Sequence, residues 1–407
     1  MRKENIKYAL LQMAFWTAAA SCYAFMTQIL EAKGFGGTEI GILNGGKLFA
    51  TVFFQMLIGS FADRHGKKIP LKVIIGLLSG AAAVVTAVFY FRDLSFAGTM
   101  AVFVGYGASF MCISPLMDSL SVIYNSRGVK INYAFGRAAG SAAYAAASVA
   151  FGVFCEKFGS VNLLLVQLIF LLLILAAVLS FGKMPEPPVQ TEKEKKQEEV
   201  HSAWYLLRNY PQFCCFLLGS AVMFMGYNLG TTFLIHVIEG LGGSNIHYGA
   251  AEFVMAISEV PAAFIMIRCR HKVPMEKLMI SCAFFMTLKN VFAAYSGNVT
   301  IIILSQTCEM LGFGMYYSGS VYLVEDMLPK ADVVKAMSFV NAATIGLGEG
   351  LGSLFCGYIR DSLGLENLMR ISVVTGIISV ICMVLMNLLP KERIEKTENK
   401  EPQRLHL

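Results

Sequence analysis

Charge is scarce in this chain. Of its 407 residues only 15% are Asp, Glu, Lys or Arg, against 56% hydrophobic. A soluble chain of this length would be read as about two or three domains with charged surfaces. Here the charges gather in short patches between long apolar runs, which excludes that reading and fits a membrane protein. A span needs about 20 apolar residues to cross about 30 Å of hydrocarbon. Metal-ligand spacing is also missing: the ten cysteines are scattered, mostly inside apolar segments, and the adjacent Cys214 and Cys215 cannot form a ligand set alone. They read as small buried hydrophobes, so neither a metal site nor a cofactor is expected. No Ser-His-Asp order and no His/Cys cluster points to an enzyme. The net charge of +6 comes from loop anchors that form no stripe along one face, so no nucleic-acid partner is expected. The first apolar segment is too long for a cleavable signal and lacks a small-residue cleavage site; it reads as a first span.

Apolar runs bounded by charge and by Gly or Pro breaks predict twelve helices. They cover residues 6–31, 38–62, 69–91, 95–125, 129–156, 160–182, 209–238, 244–268, 273–296, 298–326, 332–361 and 364–389. The expected fold is an all-α membrane protein. An even number of spans puts both termini on one side. That side collects 25 of the 33 Lys and Arg residues, the other side collects 5, and Lys47, Arg137 and Lys289 lie inside spans. By the positive-inside rule both termini are expected in the cytoplasm, in a multi-pass protein of the cytoplasmic membrane. Pro185-Glu186-Pro187-Pro188 and the charged run from Glu192 to Lys196 mark a solvated linker.

The chain repeats itself at about half its length. Gly36-Gly37-Thr38-Glu39-Ile40 follows the first span, and Gly242-Gly243-Ser244-Asn245-Ile246 follows the seventh. In each, a glycine pair is expected to turn the chain and Thr38 or Ser244 to cap the next helix. Lys130, Ser148, Gly152, Glu156 and Gly159 match Lys335, Ser353, Gly357, Asp361 and Gly364 at constant offset. Two parallel, pseudo-symmetric six-helix bundles are therefore expected: residues 1–182 and 209–390, joined by a linker at 183–208 and followed by a tail at 391–407.

Between the second and third predicted helices stands Gly59-Ser60-Phe61-Ala62-Asp63-Arg64-His65-Gly66-Lys67-Lys68. This resembles the signature of the major facilitator superfamily, Gly-x-x-x-Asp-Arg-x-Gly-Arg-Lys, in its usual loop. The resemblance implies secondary transport by alternating access. It also implies that Asp63 faces the amino end of the eleventh helix, near Asp332, where the helix dipole favours an anion. Gly59 and Gly66 would allow close packing and a tight turn, and Arg64 and Lys67 complete the motif. The matching stretch of the second half, Phe264–Lys272, has no Asp, so this latch is expected to be one-sided.

Ionisable groups inside spans cost about 2.5 kcal/mol or more each on insertion scales, and each marks a functional position. They are Lys47, Asp118, Arg137, Glu252, Glu259, Lys289, Glu309 and Glu349. Asp118 and Arg137 fall at similar depth on adjacent helices, and an ion pair is expected. Lys47 can snorkel or pair with Asp118 or Glu31. The second half holds four acids against Lys289, so one or two of them are expected to bind protons. Pro115-Leu116-Met117-Asp118 and Tyr133-Ala134-Phe135-Gly136-Arg137 resemble the branch of the lactose and phenylpropionate permeases, which are proton symporters. The resemblance implies a substrate site at Asp118 and Arg137. It also implies Glu309 as proton carrier with Lys289 as its modulator; the alternatives are a static pair, or Glu349 or Glu252 as the carrier. Ala139 stands where the lactose permease motif has a second arginine, which argues against a galactoside.

Trp16, Tyr23, Phe25 and Gln28 on the first helix can line the substrate site, the aromatic rings stacking on a ring-bearing solute. Gly346, Gly348, Gly350 and Gly352 allow close approach and sliding of the eleventh helix. His236 and His247 are expected to be structural. The expected function is proton-coupled symport of a small polar solute such as a sugar, nucleoside or aromatic acid. A proton-driven drug antiporter shares the fold, but buried Lys47, Arg137 and Lys289 suit a cationic cargo poorly. A sensor that no longer transports is the rival of another class. The expected partners are the solute, protons and the lipid bilayer, and a monomer is the default state.

Overall fold

The computed structural model describes residues 3–65, 68–182, 202–270 and 272–389. Among them every regular element is a helix. Span one is a pair, Lys3–Tyr23 and Met26–Ala32, bent by 49°. Spans two to six are Gly37–Ala62, Leu71–Phe91, Phe96–Ser126, Tyr133–Phe158 and Ser160–Leu179. Spans seven to twelve are Pro211–Gly240, Asn245–Cys269, Met275–Tyr295, Val299–Met327, Lys330–Leu363 and Leu365–Leu388. In hydrocarbon only structures that satisfy their own backbone survive, and helices do so within one segment. The helices begin where the sequence supplies caps: Asn132 accepts from the Phe135 N–H at 3.0 Å, and Ser244 forms a reciprocal box with His247. Spans five and eleven end at Gly159 and Gly364, whose φ values of 80° and 85° suit glycine alone and stand at equivalent places in the repeat.

Two turn details differ from expectation. In the first half the turning residue is Gly34, at φ 89°, and not the Gly36-Gly37 pair. Gly37 instead opens span two directly, and Thr38 bonds to Asp361 rather than capping its own helix. The linker also ends earlier than expected. Ser202 caps a short helix, Ala203–Asn209, whose Leu206 is buried against the second half. Residues 183–201 and the tail from 390 lie outside the described residues.

Leu77, Val84, Leu172, Phe284, Ile377 and Ile381 are exposed on spans three, six, nine and twelve. They form an apolar belt of the kind a bilayer covers. Spans one, four, seven and ten are interrupted at equivalent places in the two halves. Span one bends after Tyr23, span four breaks at Ser109, span seven breaks at Thr232–Phe233, and span ten passes through a 3-10 turn at Gln306–Met310. Interrupted spans at equivalent places in two repeats are where transporters place their solute.

The halves touch along spans two and eleven and along spans five and eight. The close contacts lie toward one end. A side chain on Gly41 would strike the Ser353 carbonyl, and one on Gly249 would strike the Ser148 carbonyl. Gly357 and Gly152 meet Gly37 and Asn245 in the same way. One hydrophobic cluster runs from the first half into the far ends of spans seven to twelve, while the remaining core of the second half forms its own cluster. The molecule is therefore sealed at the face poor in Lys and Arg. Toward the basic face its halves keep separate cores.

Candidate functional site between the halves

Tyr23 is 39% exposed and Tyr317 is 60% exposed, although both belong to inner, interrupted spans. Charged groups of both halves surround them: Arg137, Glu349 and Tyr317 lie in electrostatic range of Tyr23, and Arg137, Glu349, Asp118 and Glu259 in range of Tyr317. Their exposure is thus to the space between the bundles and not to lipid. Trp16, Asp118, Arg137, Glu259 and Glu349 are half-buried around the same space.

On the first-half wall the polar groups form a chain. Gln12 is fully buried; its Nε2 donates to the Tyr8 hydroxyl at 2.8 Å and to Asp118 Oδ1 at 3.4 Å. Trp16 Nε1 donates to Gln12 Oε1 at 3.0 Å. The Arg137 guanidinium lies 4.1 Å from the centre of the Trp16 ring, which can stack because Gly140 beneath it has no side chain. A guanidinium stacked on an aromatic face keeps its N–H edge free for a ligand. The expected ion pair between Asp118 and Arg137 is replaced by this arrangement. Arg137 takes the indole face, and Gln12 links the indole to the carboxylate. Gln28 stands apart. It lies past the bend of span one, where its Nε2 reaches Asn245 Oδ1 at 3.4 Å on the sealed side.

On the second-half wall stand the acids. Glu252 accepts from the Tyr144 hydroxyl of the first half at 3.1 Å. The Tyr144 ring in turn lies edge-on to Trp16, 6.3 Å away. Glu259 lies within electrostatic range of Glu309 and, across the divide, of Arg137, and Glu349 lies within range of Lys47 across the divide. Lys47 neither snorkels nor meets Asp118 or Glu31: its Nζ donates to Asn44 Oδ1 at 3.0 Å and lies 5.8 Å from the Phe103 ring centre. The acid excess of the second half is therefore partly balanced by cations of the first. Lys289 and Glu309 form a 2.9 Å ion pair with exposures of 3% and 0%, sealed away from the central space. Lys289 also lies 4.9 Å from the Tyr227 ring centre, and Glu309 Oε1 has no hydrogen-bond partner among the described residues.

Glu349 ends an unexpected element. Residues Ala342–Glu349 form a π-helix inside span eleven. The wider turn rearranges the glycine face: Gly348 packs on Phe224 of span seven and Gly350 on Phe49 of span two. π segments recur at functional sites. Of the signature loop, Gly59 and Arg64 end span two as part of the helix Gly37–His65, and Asp63 stands in its last turn. The side chain of Asp63, with Gly66 and Lys67, lies outside the described residues. Gln12, Tyr144 and Tyr317 belong to the site but stand in no charged pair or motif of the sequence. A lone Gln in an apolar run, one helical turn before Trp16, is a signal that could have found the first.

Residues 5–371 match the model of the MFS_1 like family. No curated protein matches the chain by sequence. Among solved structures, the nucleoside transporter NupG superposes with a TM-score of 0.79 at 14% identity, over 96% of this chain and 100% of its own. A bacterial homologue of the human lysosomal transporter Spinster, inward-facing and unoccupied, superposes with a TM-score of 0.70 at 15% identity, over 94% and 96%. At these identities the likeness is one of fold.

Proposed function

This chain belongs to the MFS_1 like family, the major facilitator transporters, and from that premise we propose that it is a proton symporter of a small polar, ring-bearing solute. The carrying observation is the wall pairing: an aromatic-backed guanidinium with a carboxylate on one bundle, and an excess of carboxylates on the other. The Lys and Arg distribution supports a cytoplasmic basic face, and on that reading the arrangement is open toward the cytoplasm. A solute entering from there meets the faces of Trp16, Tyr23 and Tyr317 and the hydrogen-bonding edges of Arg137 and Asp118. A nucleoside, the cargo named for NupG, has this chemistry, as do sugars and aromatic acids.

Coupling follows from charge across the divide. Glu349 with Lys47, and Glu259 with Arg137, attract when the acid is ionised and lose that attraction when it is protonated. A proton therefore changes the relative energy of states that bring the bundles together or apart, which is the requirement for a coupled carrier. Glu349 and Glu259 reach the central space and are the entry points for protons. Glu309 is held in its buried ion pair with Lys289, and Glu252 is tied to Tyr144.

The test is uptake of labelled uridine, sugars and aromatic acids into proteoliposomes under an imposed pH gradient. Accumulation that follows the gradient supports symport. Solute accumulating in acid-inside vesicles as protons leave would mean antiport, and silence across the panel would favour a sensor. Glu349→Gln is expected to abolish pH-driven accumulation while sparing counterflow exchange. If Glu309→Gln alone shows that phenotype, Glu309 is the carrier.

A further inference from the structure

Two of the polar contacts between the halves on the sealed face mirror each other, and neither touches the solute site. Asp361, in the last turn of span eleven, lies at the start of span two: its Oδ2 accepts from the Thr38 backbone N–H at 2.6 Å and from the Thr38 hydroxyl at 2.7 Å. Glu156, in the last turn of span five, lies at the start of span eight and accepts from the Ile246 N–H at 3.2 Å through Oε1. In both cases the carboxylate belongs to one bundle and the helix start to the other. The first N–H groups of a helix have no partner within it, and the dipole there favours an anion. Each carboxylate thus supplies what the other bundle's helix lacks. Glu156 and Asp361 occupy equivalent places in the internal repeat, so the two contacts are related by the symmetry of the halves. The glycine contacts at Gly37–Gly357 and Gly152–Asn245 bring the backbones near enough for them to form. A further link between the halves lies beside them: Glu31 of span one bonds His236 at 2.8 Å and Arg360 at 2.9 Å.

We propose that Asp361 and Glu156 are a paired outer lock, each holding a helix start of the opposite bundle, and that opening this face requires both to release. The lock differs from the signature loop in being two-sided and in acting on the face poor in Lys and Arg.

Hydrogen–deuterium exchange of the full chain in detergent micelles, read by mass spectrometry, tests this without knowledge of the solute. In Asp361→Ala or Glu156→Ala, exchange across residues 37–45 and 245–252 is expected to rise about twofold to fivefold, and further in the double variant. The inward-open population falls correspondingly, so residues 116–137 at the other end of the central space should exchange more slowly. Asp361→Asn and Glu156→Gln keep an acceptor oxygen without the charge and should shift both regions less, in the same directions; they decide the matter if the alanine variants do not fold. Unchanged exchange in the double variant would overturn the lock. So would a rise confined to the two capped turns with no slowing at 116–137, which is local fraying.

Discussion

Arg137 illustrates how much a single side chain depends on its supports. Its position on Trp16 requires Gly140 beneath the ring and Gln12 on the indole N–H. Arg137→Lys removes the planar edge and keeps the charge; it is expected to lower solute uptake about tenfold, a loss that a binding assay should show as weaker affinity. Gln12→Leu leaves Trp16 and Asp118 without their shared partner and should weaken binding in the same assay, with protein yield unchanged. The Lys289–Glu309 pair obeys a different rule. Because both groups are buried, removing one strands the other at a cost of about 3–5 kcal/mol. Glu309→Gln or Lys289→Met alone should lower the thermal unfolding midpoint markedly. The combined Lys289→Met, Glu309→Leu variant should recover most of the loss, and failure to recover would mean the pair is not a closed unit.

At the scale of elements, the long apolar helices were legible in the sequence to within a few residues, because hydropathy, charge and Gly/Pro breaks act locally. The bend of span one, the break of span four at Ser109 and the π segment at Ala342–Glu349 were not. These irregularities depend on what a neighbouring span offers in exchange for a lost backbone hydrogen bond. The glycines of the seam were legible as small residues, but their partners were not. Gly357 faces the Gly37 carbonyl across the halves. Gly357→Val is therefore expected to prevent closure of the far face. Cysteine-labelling rates at positions facing the central space should then rise from the outer solution and fall from the cytoplasmic side.

For the whole molecule, the two bundles complete each other electrostatically. Lys47 and Glu349 come from different halves and lie in each other's field. Neutralising either alone leaves a charge in a poorly solvated place, while neutralising both removes the mismatch. Lys47→Gln with Glu349→Gln should express and unfold closer to the parent protein than either single variant, with a coupling of about 0.5–3 kcal/mol by a double-mutant cycle. Additive losses would show that the two do not act across the divide. The same reasoning explains why four second-half acids read as an excess in the sequence and as partly compensated in the fold: their balancing cations lie about 120–300 residues away in the chain, a separation at which no local pattern reports contact.

The sequence by itself determined the solvent of this protein, its number of spans, its duplicated plan and its superfamily, because hydropathy, charge asymmetry and a signature loop are all written along the chain. It also marked nearly every charge that matters, since a charge in hydrocarbon stands out. Only the tertiary structure decided the partners. It put Arg137 on Trp16 instead of Asp118, Glu349 opposite Lys47, and Asp361 and Glu156 on helix starts of the other bundle. Which groups meet across an interface depends on how two bundles dock, and docking is set by packing over many residues rather than by any one of them.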